Sequence, residues 1–432
     1  MELDLRIEHV HAWEALDSRG VPTVACAIVL AGGADGVATV PSGASTGTHE
    51  AHERRDGGSR YAGNGVQNAV AAVNGEIADA LQGLDPEDQE ALDGKLRELD
   101  GTPTLERLGA NAVLAASVAC AVAAAAGRGL PLWRALEPDH PPLLPLPMVN
   151  IVSGGAHAGG LVDVQDVLVV PIGASTFAEA IEWSVRVRTA TANVLRERGH
   201  NSALVADEGG LAAPLASNRE AVEIVTAGIE RSGLIPGEEA MIAIDIAATQ
   251  LADGDGYRLA CEDRSLSATE LVAELRSWCN EFPIVSIEDA LGEDDIDGWR
   301  VASERLAGIQ LLGDDLFATS HDRLEAGIAN DIANAVLVKP NQVGTLSEAR
   351  RVVEIADAAG YGTVLSARSG ETEDAWLADL AIGWRTGQLK VGSTMRSERT
   401  AKWNRLLRIE TEEPDATFAG STVLEGIRET LP

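Results

Sequence analysis

Residues 284–288 read Ile-Val-Ser-Ile-Glu, a short apolar run that ends on a carboxylate. The pattern recurs through the C-terminal two-thirds of the chain. Met-Ile-Ala-Ile closes on Asp245, and Ile-Gln-Leu-Leu-Gly is followed by Asp314. Ala-Val-Leu-Val leads into Lys339, and Gly-Gln-Leu leads into Lys390. Short apolar runs bounded by charge suit buried strands. Strand candidates lie at 164–170, 203–206, 241–246, 284–287, 309–312, 335–338, 363–366 and 388–391. Helical patterns at 177–197, 218–232, 268–280, 346–359 and 371–386 separate them. This alternation predicts a parallel sheet with crossover connections. Eight strands over about 290 residues predict an α/β protein with a closed (β/α)8 barrel.

Upstream of the barrel, residues 1–137 read as a small α+β domain. Strand-like runs at 5–10 and 23–30 precede helical patterns at 66–82 and 86–99 and an Ala-rich helix over 112–126. That last run is short for a bilayer span and ends at Arg128, so it reads as a buried helix. The segment 138–147 carries five prolines and reads as a linker, leaving 148–432 for the barrel.

The 432-residue chain has a formal charge of −33, which argues against nucleic acid and anionic membrane surfaces as partners. An anionic substrate would then need a locally positive pocket. Hydrophobic residues make up 45% of the chain and aromatics only 3%, so aliphatic side chains must fill the core. Cys26, Cys120, Cys261 and Cys279 form no CxxC pair and read as buried free thiols of a cytoplasmic protein. The N-terminus lacks the long apolar run of a signal peptide.

On a barrel, the charges at the strand ends converge on one face. Asp245, Glu288 and Asp314 brought together repel one another unless a divalent cation joins them, and their oxygens suit Mg²⁺.

Long stretches of the chain resemble the enolase family. They include DSRGVPTV (17–24), PSGASTG (41–47), LGANAVLAASVA (108–119), ADEGG (206–210), PIVSIED (283–289), GDDLF (313–317), VKPNQVGTL (338–346), SGETEDAWLADLAIG (369–383) and RSERTAKWNRLLRIE (396–410). The resemblance implies an enolase-type barrel opening ββαα under an N-terminal α+β capping domain. It implies one or two Mg²⁺ ions, held by Asp245, Glu288 and Asp314, with Ser45 as a further ligand. Lys339 resembles the base that takes the proton α to a carboxylate, and Lys390 the group that holds that carboxylate. Glu208 resembles the acid that expels the β-hydroxyl. Arg368 and Ser369, next to Ser366 and Ala367, resemble a phosphate grip, and His157 a loop histidine that closes over substrate. A homodimer or larger homo-oligomer is implied as well.

Several positions depart from the family. Ala367 stands where the family has histidine, Asp166 where it has glutamate, and Ser153 where it often has asparagine. The metal and proton-abstraction side matches the family, and the anion side is altered. The sequence therefore leads us to expect a Mg²⁺ enzyme acting on a 2-phosphoglycerate-like or phosphoenolpyruvate-like ligand, specialised as a carboxyphosphonoenolpyruvate synthase. That reading takes a phosphonylated carboxylate and a nucleotide-activated second substrate, and leaves plain dehydration weak. The alternatives are ordinary or reduced 2-phosphoglycerate dehydration, and a non-catalytic enolase-like binding protein.

Overall fold

The computed structural model describes residues 4–44 and 47–425. Three antiparallel strands open the chain: β1 (Ile7–Leu16), β2 (Pro22–Leu30) and β3 (Asp35–Thr39), with β2 central. The predicted first strand was placed too early. Helical residues follow at 67–81, with a wider turn at Val73–Ile77, then α1 (Gln89–Asp100) and α2 (Ala110–Gly127). Alanine favours helix, and a helix that is apolar all round must be buried. α2 is long and apolar enough to cross a membrane, but 83% of it lies buried in the fold, across β2 and β3. Its small side chains permit close approach. A Cβ on Gly36 of β3 would stand 2.2 Å from Ala123 N and 2.5 Å from Ala119 O.

The barrel has eight strands: β4 (Leu146–Ser153), β5 (Asp166–Val170), β6 (Met241–Asp245), β7 (Ile284–Glu288), β8 (Gln310–Gly313), β9 (Ala335–Val338), β10 (Gly362–Ser366) and β11 (Gly387–Gly392). Two expectations need correction. Residues 203–206 form no barrel strand, and Val205 makes only an isolated bridge to Leu211. The strand that takes the eighth place is β4, which begins inside the Pro-rich stretch read as a linker. Pro147 gives up one ladder N–H, but β4 still pairs with β11. The second correction concerns direction. β5 runs antiparallel to both β4 and β6, while the remaining neighbours are parallel. The order after the first domain is β4-β5, then α3 (Phe177–Glu197) and α4 (Asn218–Arg231), then β6. This is the ββαα opening that the enolase-like stretches imply.

The later strands are followed by α5 (Ala268–Glu281, before β7), α6 (Ile296–Arg305), α7 (His321–Ala329), α8 (Leu346–Ala358), α9 (Trp376–Gly383) and α10 (Ser397–Glu412). Alternate residues of each strand part to two faces. Leu146, Met148, Leu168, Val170 and Leu337 fill the barrel interior, while Val149, Ile151, Val167, Val169 and Val338 pack outward among the helices. Two of the cysteines, Cys26 and Cys120, are buried, but Cys261 and Cys279 are half-buried, contrary to expectation.

Glycine supplies a direct test of the α2 contact. Gly36→Ala pushes β3 off α2 and should cost roughly 1–3 kcal/mol. Gly94 is exposed within α1, and nothing lies within 4 Å of an added Cβ. Gly94→Ala should therefore stabilise by about 0.5–1 kcal/mol. Urea unfolding midpoints should move in opposite directions for the two variants.

Candidate active site

The parallel strands deliver their C-terminal residues to one rim of the barrel. Asp245 ends β6, Glu288 ends β7, Asp314 follows β8, Lys339 follows β9, Ser366 ends β10 and Lys390 lies in β11. Because β5 is reversed, it brings its first residue to this rim instead of its last. Asp166 stands in register with Asp245 and Ser153.

Burial sets the electrostatics here. Lys390 Nζ bridges Asp245 (2.8 Å) and Glu288 (2.7 Å), and Lys339 Nζ pairs with Asp314. The expected carboxylate trio is thus interleaved with two ammonium groups. Gln165 donates to Asp245 Oδ2 at 3.1 Å, and Gln342 donates to Asp314 Oδ1 at 3.0 Å. Burial and the nearby Asp245 carboxylate push Glu288 well above the usual carboxylate range. Burial alone would lower both lysines, but their carboxylate partners outweigh it and raise both. The depressed lysine expected of a base is therefore not present while Asp314 holds it. Glu288 Oε1 is buried and makes no hydrogen bond. An unsatisfied hard oxygen beside two more carboxylates fits a divalent cation.

On the neighbouring strands lies a hydrogen-bonded group around Asp166, which is fully buried. Its Oδ1 accepts from Asn150 and from Ser153 Oγ (2.8 Å), and its Oδ2 is 2.8 Å from His157 Nδ1. His157 Nε2 lies 3.9 Å from Glu208, which is also 3.9 Å from Arg399. Burial lowers the affinity of His157 for its proton, but Asp166, Glu208 and Asp245 reverse this and raise its pKa to about 9. Burial raises Glu208, and the cations His157, Arg399, Lys390 and Lys339 more than offset that, leaving it lowered. Two glycines let the backbone close in. A Cβ on Gly210 would stand 2.3 Å from Ser153 Oγ, and one on Gly392, at φ +106, would stand 2.8 Å from Glu208 O.

A small polar cavity joins the two sides. His157, Glu208, Lys339 and Lys390 face it together with Ser366, Ala367, Arg368 and Ser369. Ala367 is buried, and its N–H donates to Lys390 O at 2.9 Å. Arg368 donates to Glu50 (2.9 and 3.2 Å) and to Asn341 (2.7 Å), tying the N-terminal domain to the rim. Ser369 Oγ accepts from Ala44 N at 2.7 Å. Ser45 lies outside the described residues. Sequence reasoning missed Gln165, Glu50, Gln342 and Arg399. Buried Arg399 donates to the carbonyls of Arg368, Val391 and Ser369, so it braces residues 368 and 369 from behind. All but Gln165 lie within or beside enolase-like stretches, so position in those motifs was the available signal.

Residues 7–136 match the enolase N-terminal domain family, and residues 141–426 match the enolase C-terminal TIM barrel domain family. An enolase of Sulfurimonas denitrificans (strain ATCC 33889 / DSM 1251) is 48% identical over 416 residues, covering 96% of this chain and 99% of that protein. The chain belongs to the enolase family. As a family member it is a carbon–oxygen lyase-type enzyme with an α/β barrel. Within an enolase framework the Asp166 group is of interest, because Asn150 and Ser153 close in on the shorter carboxylate and hold it toward His157.

The His157–Asp166 pair makes a pH prediction. A histidine raised from 6.5 to about 9 contributes stability that is complete below 6.5 and is lost as pH rises through about 9. Imidazole NMR signals in metal-free buffer should show His157 protonated at neutral pH. Asp166→Asn should lower its midpoint by at least about one unit. A midpoint that stays put would show that Asp166 is not the controlling partner.

Proposed function

We propose that this chain removes the proton α to the carboxylate of 2-phosphoglycerate and expels the β-hydroxyl as water. The observation that carries the reading is the joining of the Lys339/Asp314 and Lys390/Asp245/Glu288 pairs to the His157–Glu208 side across one small cavity. The curated relative named enolase supports dehydration over any phosphonoformyl transfer.

In this reading Asp245, Glu288 and Asp314 hold Mg²⁺. When bound, the ion neutralises the substrate carboxylate and stabilises the negative charge that develops as the α-proton leaves. Lys390 orients that carboxylate. Asp314, when shared with the ion, would neutralise Lys339 less, and Lys339 would fall toward the neutral form a base requires. Lys339 then takes the C2 proton, the C2–H electrons form the C2=C3 bond, and the C3–O bond breaks. His157, held protonated by Asp166, supplies the proton, and Glu208, 3.9 Å from its Nε2, relays it to the oxygen, which departs as water. Arg368 and Ser369 bind the phosphate.

Ala367 favours a second reading. A methyl group at this position is smaller than the family's imidazole, so the ligand in this reading would carry a larger anion, such as a carboxyphosphonate, beside Arg368 and Ser369. The scaffold alternative has less support, since burying five charged groups together is costly unless they bind something.

Hydrogen exchange separates these readings. Wild type with Mg²⁺ in D₂O should exchange the C2 hydrogen of 2-phosphoglycerate and form phosphoenolpyruvate. Lys339→Ala should lose about 10²–10⁴ in both rates. Asp245→Ala should weaken Mg²⁺ binding by calorimetry. If wild type exchanges C2 but forms phosphoenolpyruvate roughly 100-fold slower than Ala367→His, the specialised reading replaces dehydration. Absence of both reactions would leave only the binding-protein reading.

A further inference from the structure

A second cluster of metal-ligating side chains lies outside the cavity of the catalytic reading. His49 stands just past the PSGASTG stretch, and Glu293 and Asp294 lie in the connection after β7. One ligand atom from each of the three lies within 4.8 Å of the others. None of them faces the cavity shared by Lys339 and Lys390.

The geometry suits a bound ion. His49 Nε2 and Asp294 Oδ1 are 3.4 Å apart. Two ligands at about 2.0–2.1 Å from a tetrahedral zinc stand roughly that far from each other. Glu293 is 7% exposed, and its two oxygens differ. Oε1 accepts from Thr48 Oγ1 at 2.7 Å, but Oε2 is buried with no hydrogen bond. A carboxyl oxygen left bare in the interior is costly, and a cation is the simplest group to satisfy it. Oε2 lies 3.3 Å from the Cβ that Gly47 would carry, so it points toward the segment that bears His49. Other charges face the cluster: Arg323 lies 3.6 Å from Asp294 Oδ1 and donates to Glu293 O, and Asp315 Oδ1 meets the same Gly47 Cβ position as Glu293 Oε2, at 3.2 Å, which adds a second carboxylate beside the bare oxygen. Beside it a cleft lined by Thr249, Asp255, Tyr257 and Asp295 reaches Glu293 and Asp294 and gives an ion access from solvent.

We propose that His49, Glu293 and Asp294 form a divalent transition-metal site, best suited to Zn²⁺, with water completing the coordination. One nitrogen and two carboxylate oxygens suit zinc better than the all-oxygen rim suits it. An ion here ties residues 47–50 to the connection after β7. Glu50 carries that constraint to Arg368 at 2.9 Å.

The test is calorimetric titration of the full chain with Zn²⁺ in the presence of saturating Mg²⁺. Wild type should bind one Zn²⁺ in addition to any ion at the barrel rim. Loss of groups that merely orient a metal ligand costs 10–100-fold in affinity, so His49→Ala and Asp294→Ser should each weaken this site at least about tenfold. Both side chains are on the surface, so the variants should fold. Asp245→Ala, at the rim, should leave the site intact. Co²⁺ added to the Mg²⁺-saturated protein should shift and broaden the His49 imidazole signals before those of His157. Zinc isotherms unchanged in both variants, or no additional site in wild type, would overturn the proposal.

Discussion

Lys390 Nζ lies 2.8 Å from one carboxylate and 2.7 Å from another, with all three side chains shielded from water. Two buried carboxylates so close together cannot both stay ionised without positive charge between them. The lysine supplies it, and so constrains the rim. β6, β7 and β11 must end at matching heights, which the parallel register provides. Lys339 and Asp314 repeat the arrangement one strand further on. The lysines and a divalent cation are competing answers to the same requirement, so a cation bound here would be linked to lysine protonation.

The whole-chain charge shows the same contrast. With 67 acids against 34 basic residues, the surface is strongly negative. Yet Lys390, Arg368, Arg399 and Lys402 are buried, and Lys339 half-buried, around or beneath the cavity. Lys402 pairs with Glu371 at 2.8 Å, and Glu371 in turn accepts from the backbone N–H of Arg368. The local field that a phosphorylated carboxylate meets is therefore set by a small group of basic residues. Their positions are fixed by ion pairs reaching to Glu50 in one direction and to α10 in the other.

Barrel membership was largely legible in the chain, because continuous apolar runs that end in charge mark strands buried on both faces. Seven of the eight strand candidates coincide with barrel strands to within a few residues. The exception is instructive. Residues 203–206 have strand-like composition but no neighbour to pair with apart from Leu211. Residues 146 and 147 fall in the Pro-rich stretch 138–147 that reads as a linker, yet the strand they begin, 146–153, pairs with β11 on one side and β5 on the other. Composition records local preference, whereas a strand exists only where a partner's ladder is free.

The amino-acid sequence alone determined which residues carry charge at the strand ends and that the fold is an α/β barrel with a capping domain. It did so because burial periodicity and strand-end polarity are local properties. Only the tertiary structure decided that β5 runs backwards, so that Asp166 reaches the rim from its first residue. It also decided that Asn150, Ser153 and His157 converge on that carboxylate, that Glu50 crosses from the N-terminal domain to Arg368, and that His49 meets Glu293 and Asp294. These contacts join residues up to 318 positions apart, and such distances are set by chain topology and packing rather than by any local pattern.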